Sequence, residues 1–387
     1  MLTRKKQNIR IETGKNGFEK IQNDWSELTK KINNKRFFHY FEWYESYIEA
    51  LEKNLEALLF IVMENCSEAE AIIPLKKIKS GCFDILELPD HNHLPLRDII
   101  FPECFQTKNS INNLVESLQS FKKLKWDFMR LSCLLPDSCA LKAFNKYSGP
   151  KVVRKLSTCC YIPLQSFEKF EANLSKNMCK QLKRARKKAR ALGEMQNRSF
   201  QTVTELAKAF PVFLDIEASG WKGIKGSGSA IKCNDNLIKF YKILLNKFSK
   251  FGESRIDILY IDERPISGEL QLCINDTSYS LKGGIDEAMR HISPGQLHRE
   301  LLLKTYSREQ KIKYFNLVSG EYIQDHKRWK ASSHDTYEVI IFNRTFKALP
   351  AFSYLQAKEI IKPFYKSYAK SMLKKTPFCR QDSANFK

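Results

Sequence analysis

The chain has 387 residues, 43% of them hydrophobic and 12% aromatic, with 15 Gly and 13 Pro; this is apolar surface enough for two globular domains and excludes a disordered, collagen-like or low-complexity protein. Lys and Arg number 65 against 43 acidic residues, a formal net charge of +22, so the field favours polyanions: nucleic acid, an anionic membrane face, or a phosphorylated substrate or cofactor. The longest apolar run, ALLFIVM at 57–63, is far short of the ~20 residues that span a bilayer, and no apolar stretch follows the basic amino terminus, so a cytoplasmic protein, peripheral to the membrane at most, is expected.

Residues 1–36 read as a polar lead-in with a short amphipathic helix around Trp25. Phe41, Tyr44, Tyr47, Ile48 and Leu51 then recur at helical spacing, and ALLFIVM and AEAIIPL form an antiparallel hairpin ended by Pro74. A strand at 82–89, a helix at 109–123 and a strand at 126–134 complete a mixed first half. TCCYIPL (158–164) is a strand, and SFEKFEANLSKNMCKQLKRARKKARALG reads as one long helix closed by Gly193. The same grammar follows again: helices near 202–219 and 234–250, strands at 255–262, 264–276 and 277–286, a helix from Pro294, and strands at 313–318 and 336–343. The scattered Cys, including the adjacent Cys159 and Cys160, contain no CxxC pair and read as reduced, mostly buried thiols.

Four places carry chemistry on the residues alone. Ser293, Pro294 and Gly295 open a helix directly after a strand and a loop, with Gln296 next; a helix start with uncovered N–H groups is an anion site suited to a pyrophosphate. Glu269 lies on the alternating strand SGELQLC, on the same side as Ser267 and Gln271. The run KNMCKQLKRARKKAR (176–190) has eight basic residues and no acidic one, with an apolar stripe of Met178, Leu182, Ala185 and Ala189, so one face packs and the other presents charge. The loop HNH (His91, His93) has neither a Cys nor a placed third ligand, and no metal site is expected there.

FLDIEASGWKG (213–223), ILYIDERPISGELQL (258–272), SLKGGIDEAMRHISPGQL (280–297) and YFNLVSGEYIQDHKRWK (314–330) occur in an order and spacing that resemble the CelD/BcsL-like acyltransferases of the GNAT superfamily, named for a cellulose-biosynthesis acetyltransferase. The resemblance implies an α+β fold of two tandem GNAT-like subdomains, each a mixed, mostly antiparallel sheet flanked by helices, similar to the Fem peptidyltransferases. The divisions expected are 1–155, 156–350, and a basic C-terminal helix and tail at 351–387. It also implies an acyl-CoA donor, probably the commonest one, acetyl-CoA, with its pyrophosphate at Ser293, Pro294, Gly295 and Gln296, an oxyanion-binding backbone at Gly283 and Gly284, and no metal. Asp286, Glu269, His291 and His298 are the candidate bases near that strand, with Asp286 ranked first. Trp221 and Lys222, and Lys327 and Trp329, are expected to line the acceptor side. The activity implied is transfer of an acyl group to an amine of a sugar, lipid-linked or peptidic acceptor, with a phosphorylated acceptor or anionic membrane surface as partner and nucleic acid not expected. A Fem-like aminoacyl-tRNA donor, or a non-enzymatic polyanion-binding protein, is the alternative.

Overall fold

The computed structural model describes residues 8–164, 167–318 and 323–359. Among them twelve strands share one sheet: β1 (Asn8–Thr13), β2 (Leu58–Asn65), β3 (Glu68–Ser80), β4 (Phe83–Glu87), β5 (Phe128–Leu134), β6 (Lys151–Pro163), β7 (Met195–Phe200), β8 (Ser254–Ile261), β9 (Arg264–Ile274), β10 (Thr277–Ile285), β11 (Tyr314–Asn316) and β12 (Ser332–Phe342), in the order 1-2-3-4-5-12-6-11-10-9-8-7. The tandem expectation is visible in the pairing. From β1 to β5 there are three antiparallel steps and then the parallel pair β4/β5. From β7 to β11 the same series recurs, ending in the parallel pair β10/β11.

The two halves are joined by exchange of their last strands. β6 follows the first half in sequence but borders β11, and β12 follows the second half but borders β5. The two then pair with each other from Ser332↔Tyr161 to Ile341↔Lys151. The division expected between residues 155 and 156 therefore falls inside β6.

Helices cover both faces. α1 (Gly14–Lys20), α2 (Gln22–Lys30), α3 (Phe41–Ala50), α4 (Lys108–Ser120) and α5 (Cys139–Asn145) belong to the first half. In the second half α8 (Val203–Ala218) and α9 (Asp235–Ser249) lie on one face, while α6 (Phe167–Asn173), α7 (Lys176–Arg190) and α10 (Pro294–Glu309) pack together; α11 (Gln324–Arg328) is a short turn before β12. One apolar core runs through both halves, with Trp43 on α3 edge-on to Phe240 on α9 at 5.7 Å and Phe37 against Tyr279 of β10 at 4.9 Å. A second cluster joins Leu174, Met178 and Leu182 to Leu302, Leu303, Tyr306 and Trp329.

Three departures from the expected elements have local causes. The long helix expected over 166–193 is two, because Ser175 caps the second with its hydroxyl accepting from the Met178 N–H at 3.1 Å. β1 and β7, which periodicity did not show, are the two edge strands, and their sequences NIRIET and MQNRSF are only half-buried. An edge strand has one paired side and needs little apolar alternation. The carboxyl-terminal segment is helical over 348–359 and packs Ala348, Phe352 and Leu355 on Val152, Ile340 and Phe342, whereas 360–387 lies outside the described residues.

Asp98 fixes the first half. Its fully buried carboxylate accepts the N–H groups of Ile99, Cys139 and Ala140 at 2.9, 2.7 and 2.8 Å and lies 3.1 Å from His39 Nε2. It thus satisfies the first amides of α5 and ties that helix to the 3-10 turn at Phe37–His39. Asp98→Ala leaves those donors buried without a partner and is expected to cost on the order of 3 kcal/mol or more. Urea unfolding should show this as a lower midpoint with an unchanged slope.

Candidate active site

The site begins where β10 loses a neighbour. β10 pairs with β11 only over Thr277–Tyr279, yet continues beside β9 to Ile285, with Leu281 as an extra residue between Ser280 and Lys282. Because Asp286 N–H donates to Ile266 at 2.9 Å, the residues of β10 that bond to β9 are those in step with Asp286, and Gly283 and Ile285 turn their backbone groups to the open edge. Two contacts agree with this: the Gly283 carbonyl accepts from Lys222 Nζ at 3.0 Å and the Ile285 carbonyl from Ser219 Oγ at 2.8 Å. The N–H of Gly283 lies on that same edge.

The two glycines of β10 differ in use. A Cβ on Gly283 would fall 2.6 Å from Glu269 Oε2, so its absence makes room for that carboxylate beside the open edge. A Cβ on Gly284 would fall 2.6 Å from the Cα of Glu217, so Gly284 lets α8 press on the opposite face. Gly284 is in step with Asp286 and turns its backbone to β9, not to the open edge.

In front of this edge lies a cleft of about 590 Å³, walled by the end of α8 (Glu217, Trp221, Lys222), by β10, by the start of α10, and by Phe315 and Asp325. Glu269 forms its floor and accepts from Ser280 Oγ. Burial pushes the Glu269 carboxyl above its ordinary range, while Arg299 and the Ser280 hydroxyl pull the other way. Arg299 is held by Asp325, whose two oxygens accept from Arg299 at 2.6 Å and from Gln296 Nε2 at 2.7 Å. Burial would raise the Asp325 carboxyl, but Arg299 and Gln296 outweigh it and hold it below the usual range.

At the start of α10 Ser293 takes a left-handed conformation, φ 58° and ψ 55°, and its side chain makes no capping bond. Its carbonyl accepts from Gln296 and Leu297 at 3.0 and 3.2 Å. Pro294 has no N–H, which leaves the Gly295 amide as the uncovered donor at the cleft wall. The helix start is therefore an anion cradle, although Ser293 serves it through its backbone turn and not through its hydroxyl.

Of the residues singled out in the sequence, Glu269, Gly283, Gly284, Ser293, Pro294, Gly295, Gln296, Trp221 and Lys222 line this one cleft. Others do not. Asp286 caps the turn after β10, its Oδ1 accepting from Ala288 N–H at 3.0 Å and its Oδ2 from Arg264 at 2.7 Å, so both oxygens are engaged outside the cleft. His291 is exposed on the far side of the helix start, facing α7. His298 is buried between Ser267 Oγ at 3.1 Å and Asn197 Oδ1 at 3.0 Å, and burial pushes it down to about 4, which makes it a neutral packing histidine. Trp329 is fully buried and stacks on Phe170 at 6.2 Å, while Lys327 is exposed on α11. His93 Nδ1 lies 2.8 Å from the Tyr241 hydroxyl and His91 Nδ1 accepts from the His93 N–H at 3.1 Å. Sequence reasoning missed Glu217, Arg299 and Asp325. The spacing of Gln296 and Arg299, three residues apart on one helix face, was the available signal for a shared partner.

Residues 176–330 match the family model of an acetyltransferase (GNAT) domain. No curated protein sequence matches the chain. Among solved structures the chain is similar to FemX, with a TM-score of 0.56 at 11% identity over 86% of this chain and 97% of that one. It is also similar to L-PGS from Bacillus licheniformis, with a TM-score of 0.50 at 11% identity over 86% and 95% of the two chains.

The raised carboxyl of Glu269 has a sign that can be measured. A group whose pKa is raised by folding contributes stability below its unfolded value and loses that contribution as the pH rises through its folded value. Glu269→Gln should therefore gain in melting temperature relative to the parent from acid to neutral pH, with the gain vanishing below the ordinary carboxylate range. A difference that does not vary with pH would contradict the burial of this group. A GNAT acetyltransferase domain over residues 176–330, set in a fold shared with FemX, places the chain among the transferases of the GNAT and Fem-like superfamily.

Proposed function

We propose that the protein is an acyl-CoA-dependent N-acyltransferase of the CelD/BcsL-like kind, acting from the cytoplasm on an amine of a sugar, lipid-linked or peptidic acceptor, with acetyl as the acyl group. The observation that carries this reading is the convergence in one cleft of the open β10 edge at Gly283, the Glu269 carboxylate beside it and the uncovered Gly295 amide at the start of α10. The residues fit the donor: a pyrophosphate suits the amide and positive dipole end of α10, and an acyl-pantetheine arm can lie along the strand edge that β11 leaves free.

Acyl-CoA would supply the activated thioester, and the chain supplies the rest. The Gly283 N–H is directed to the edge where negative charge develops on the acyl oxygen. An amine enters as ammonium and must lose a proton before it attacks; Glu269, raised by burial and within the same cleft, is the base placed to take it. Lys222 pins the edge through the Gly283 carbonyl and is itself held by Glu217 at 3.4 Å. Transfer is then direct, since no Cys or Ser in the cleft stands beside a base as an activated nucleophile would. The rate should rise with pH along an acid limb set by Glu269, and Glu269→Gln should lower kcat by about 100-fold or more.

Calorimetric titration tests the donor. Acetyl-CoA is expected to bind the wild-type chain, and Gly295→Glu, which puts a carboxylate at the anion cradle, should weaken that binding by about 100-fold or more while leaving the melt in place. An unchanged Kd in the variant would remove the cradle. Silence towards acetyl-CoA together with salt-sensitive tRNA binding would replace the donor with an aminoacyl-tRNA.

A further inference from the structure

A second cavity lies against the back of the same helix start. It has a volume of about 200 Å³ and shares Ser293 and Gln296 with the main cleft, so the two meet at the first turn of α10. Its inner wall is apolar, made by Met178, Leu182 and Ala185 of α7, and its rim is cationic, made by Arg184 and Lys188 with His291 opposite. Gln181, Arg184 and Lys188 recur at intervals of three and four, so one stripe of α7 faces the cavity. Lys188 is steered there by its bond from Nζ to the His291 carbonyl at 3.1 Å. The neighbouring Arg186 points elsewhere, to Glu300 at 3.5 Å and Glu171 at 3.9 Å. An apolar slot of this size with two cations at its mouth matches the end of a nucleotide: a purine ring to cover the methionine, leucine and alanine, and a phosphate for the guanidinium and ammonium.

We propose that this cavity binds the adenosine 3′-phosphate end of the donor, with Arg184 and Lys188 as the phosphate ligands. The inference rests on the acyl-CoA reading of the main cleft and adds a site to it. The pyrophosphate lies at Gly295, the chain of the donor runs forward over β10, and the nucleoside runs back between α10 and α7. The basic face of α7 then divides in two. Arg184 and Lys188 serve the donor, whereas Lys183 and Lys187, which do not line the cavity, contribute only to the general field.

The test compares acetyl-CoA with 3′-dephospho-acetyl-CoA by calorimetry at 0.15 M salt, for the wild type, for Arg184→Ala/Lys188→Ala, and for the charge-matched control Lys183→Ala/Lys187→Ala. All four positions are exposed on α7, and thermal melts check that each variant is folded. The wild type should prefer acetyl-CoA by about tenfold or more, as expected of two charge-assisted contacts to one phosphate. The first variant should bind the two ligands alike, and the control should keep the preference. Equal binding of both ligands by the wild type would overturn the cavity assignment while the acyl-CoA reading stood. Loss of the preference in the control as large as in the first variant would also overturn it, since the charge of the whole helix would then be the cause. Failure of the wild type to bind either ligand would refute the donor reading itself, and this inference with it.

Discussion

The functional geometry depends on one constraint of strand pairing, that β10 is bonded on both sides for three residues and on one side for the rest. β11 cannot follow β10 further. After Asn316 the chain turns at Val318, which has φ 47°, and the Asn316 side chain accepts the Val318 N–H at 2.8 Å to close the strand. β11 is kept in register on its other side by β6, which β12 in turn holds along ten residue pairs from Ser332 to Ile341. The exchange of β6 and β12 thus does more than fuse the halves: it anchors β11 while β10 diverges. A strand edge opened inside a protein leaves backbone groups that need partners. Lys222 and Ser219 satisfy two of its carbonyls, and the cleft gives the remaining edge access to a ligand.

The same economy governs charge at the cleft floor. Glu269 is costly to ionise where it lies, and the nearest compensation is Arg299, which would itself be costly without Asp325. The order Glu269, Arg299, Asp325 therefore grades the three groups. Asp325 is held firmly charged by its two donors, Arg299 is shared, and Glu269 is left with a raised carboxyl able to change its protonation during a reaction. Gln296 links this set to the anion cradle, because its amide binds Asp325 while its backbone forms the first turn of α10. Charge arriving at the helix start and charge changing at Glu269 are thereby joined through one residue.

What the residues disclosed and what they hid follow from range. The hairpin β2/β3, the strands β8 to β10, and the helix from Pro294 were legible because their signals are local: alternation, helical spacing, and Ser-Pro-Gly after a strand. The sidedness of Glu269 with Ser267 and Gln271 was also legible, and α10 does reach that side, with His298 on Ser267 and Tyr306 on Gln271 at 2.7 Å. The exchange of β6 and β12 was not, since nothing within either strand says which neighbour it takes. Asp286 misled for a related reason. A carboxylate at a strand end beside a glycine-rich loop has the same sequence appearance whether it faces the cleft or caps the turn, and only the position of Arg264, twenty-two residues earlier, decides it. Trp329 was misplaced because a tryptophan's indole fills a core as well as it lines a wall, and Phe170 lies on a helix that the sequence ran together with its successor.

The repeated topology also explains why one half carries the site and the other does not. β4 and β5 hold the places that β10 and β11 hold in the second half, yet no opening follows them. Leu88 N–H continues the pairing to Arg130 at 3.2 Å, and β5 runs on along β12 to Leu134. Where the second half has a short turn and the start of α10, the first half has a long loop from 88 to 107 that folds back into its own core. Leu94, Leu96, Ile99, Ile100 and Phe101 are buried there, Ile100 pairs with Ile72, and Asp98 anchors α5. The corresponding space is thus filled by the chain itself. The loop's outer turn instead carries His93 to Tyr241 on α9, which ties the filled half to the helix layer behind the open one. An ancestral-type plan with two equal sheets would offer two clefts; here one has been converted into support, and the rigidity it lends through α3, α9 and the shared core is what lets β10 stand apart from β11 without collapsing onto it.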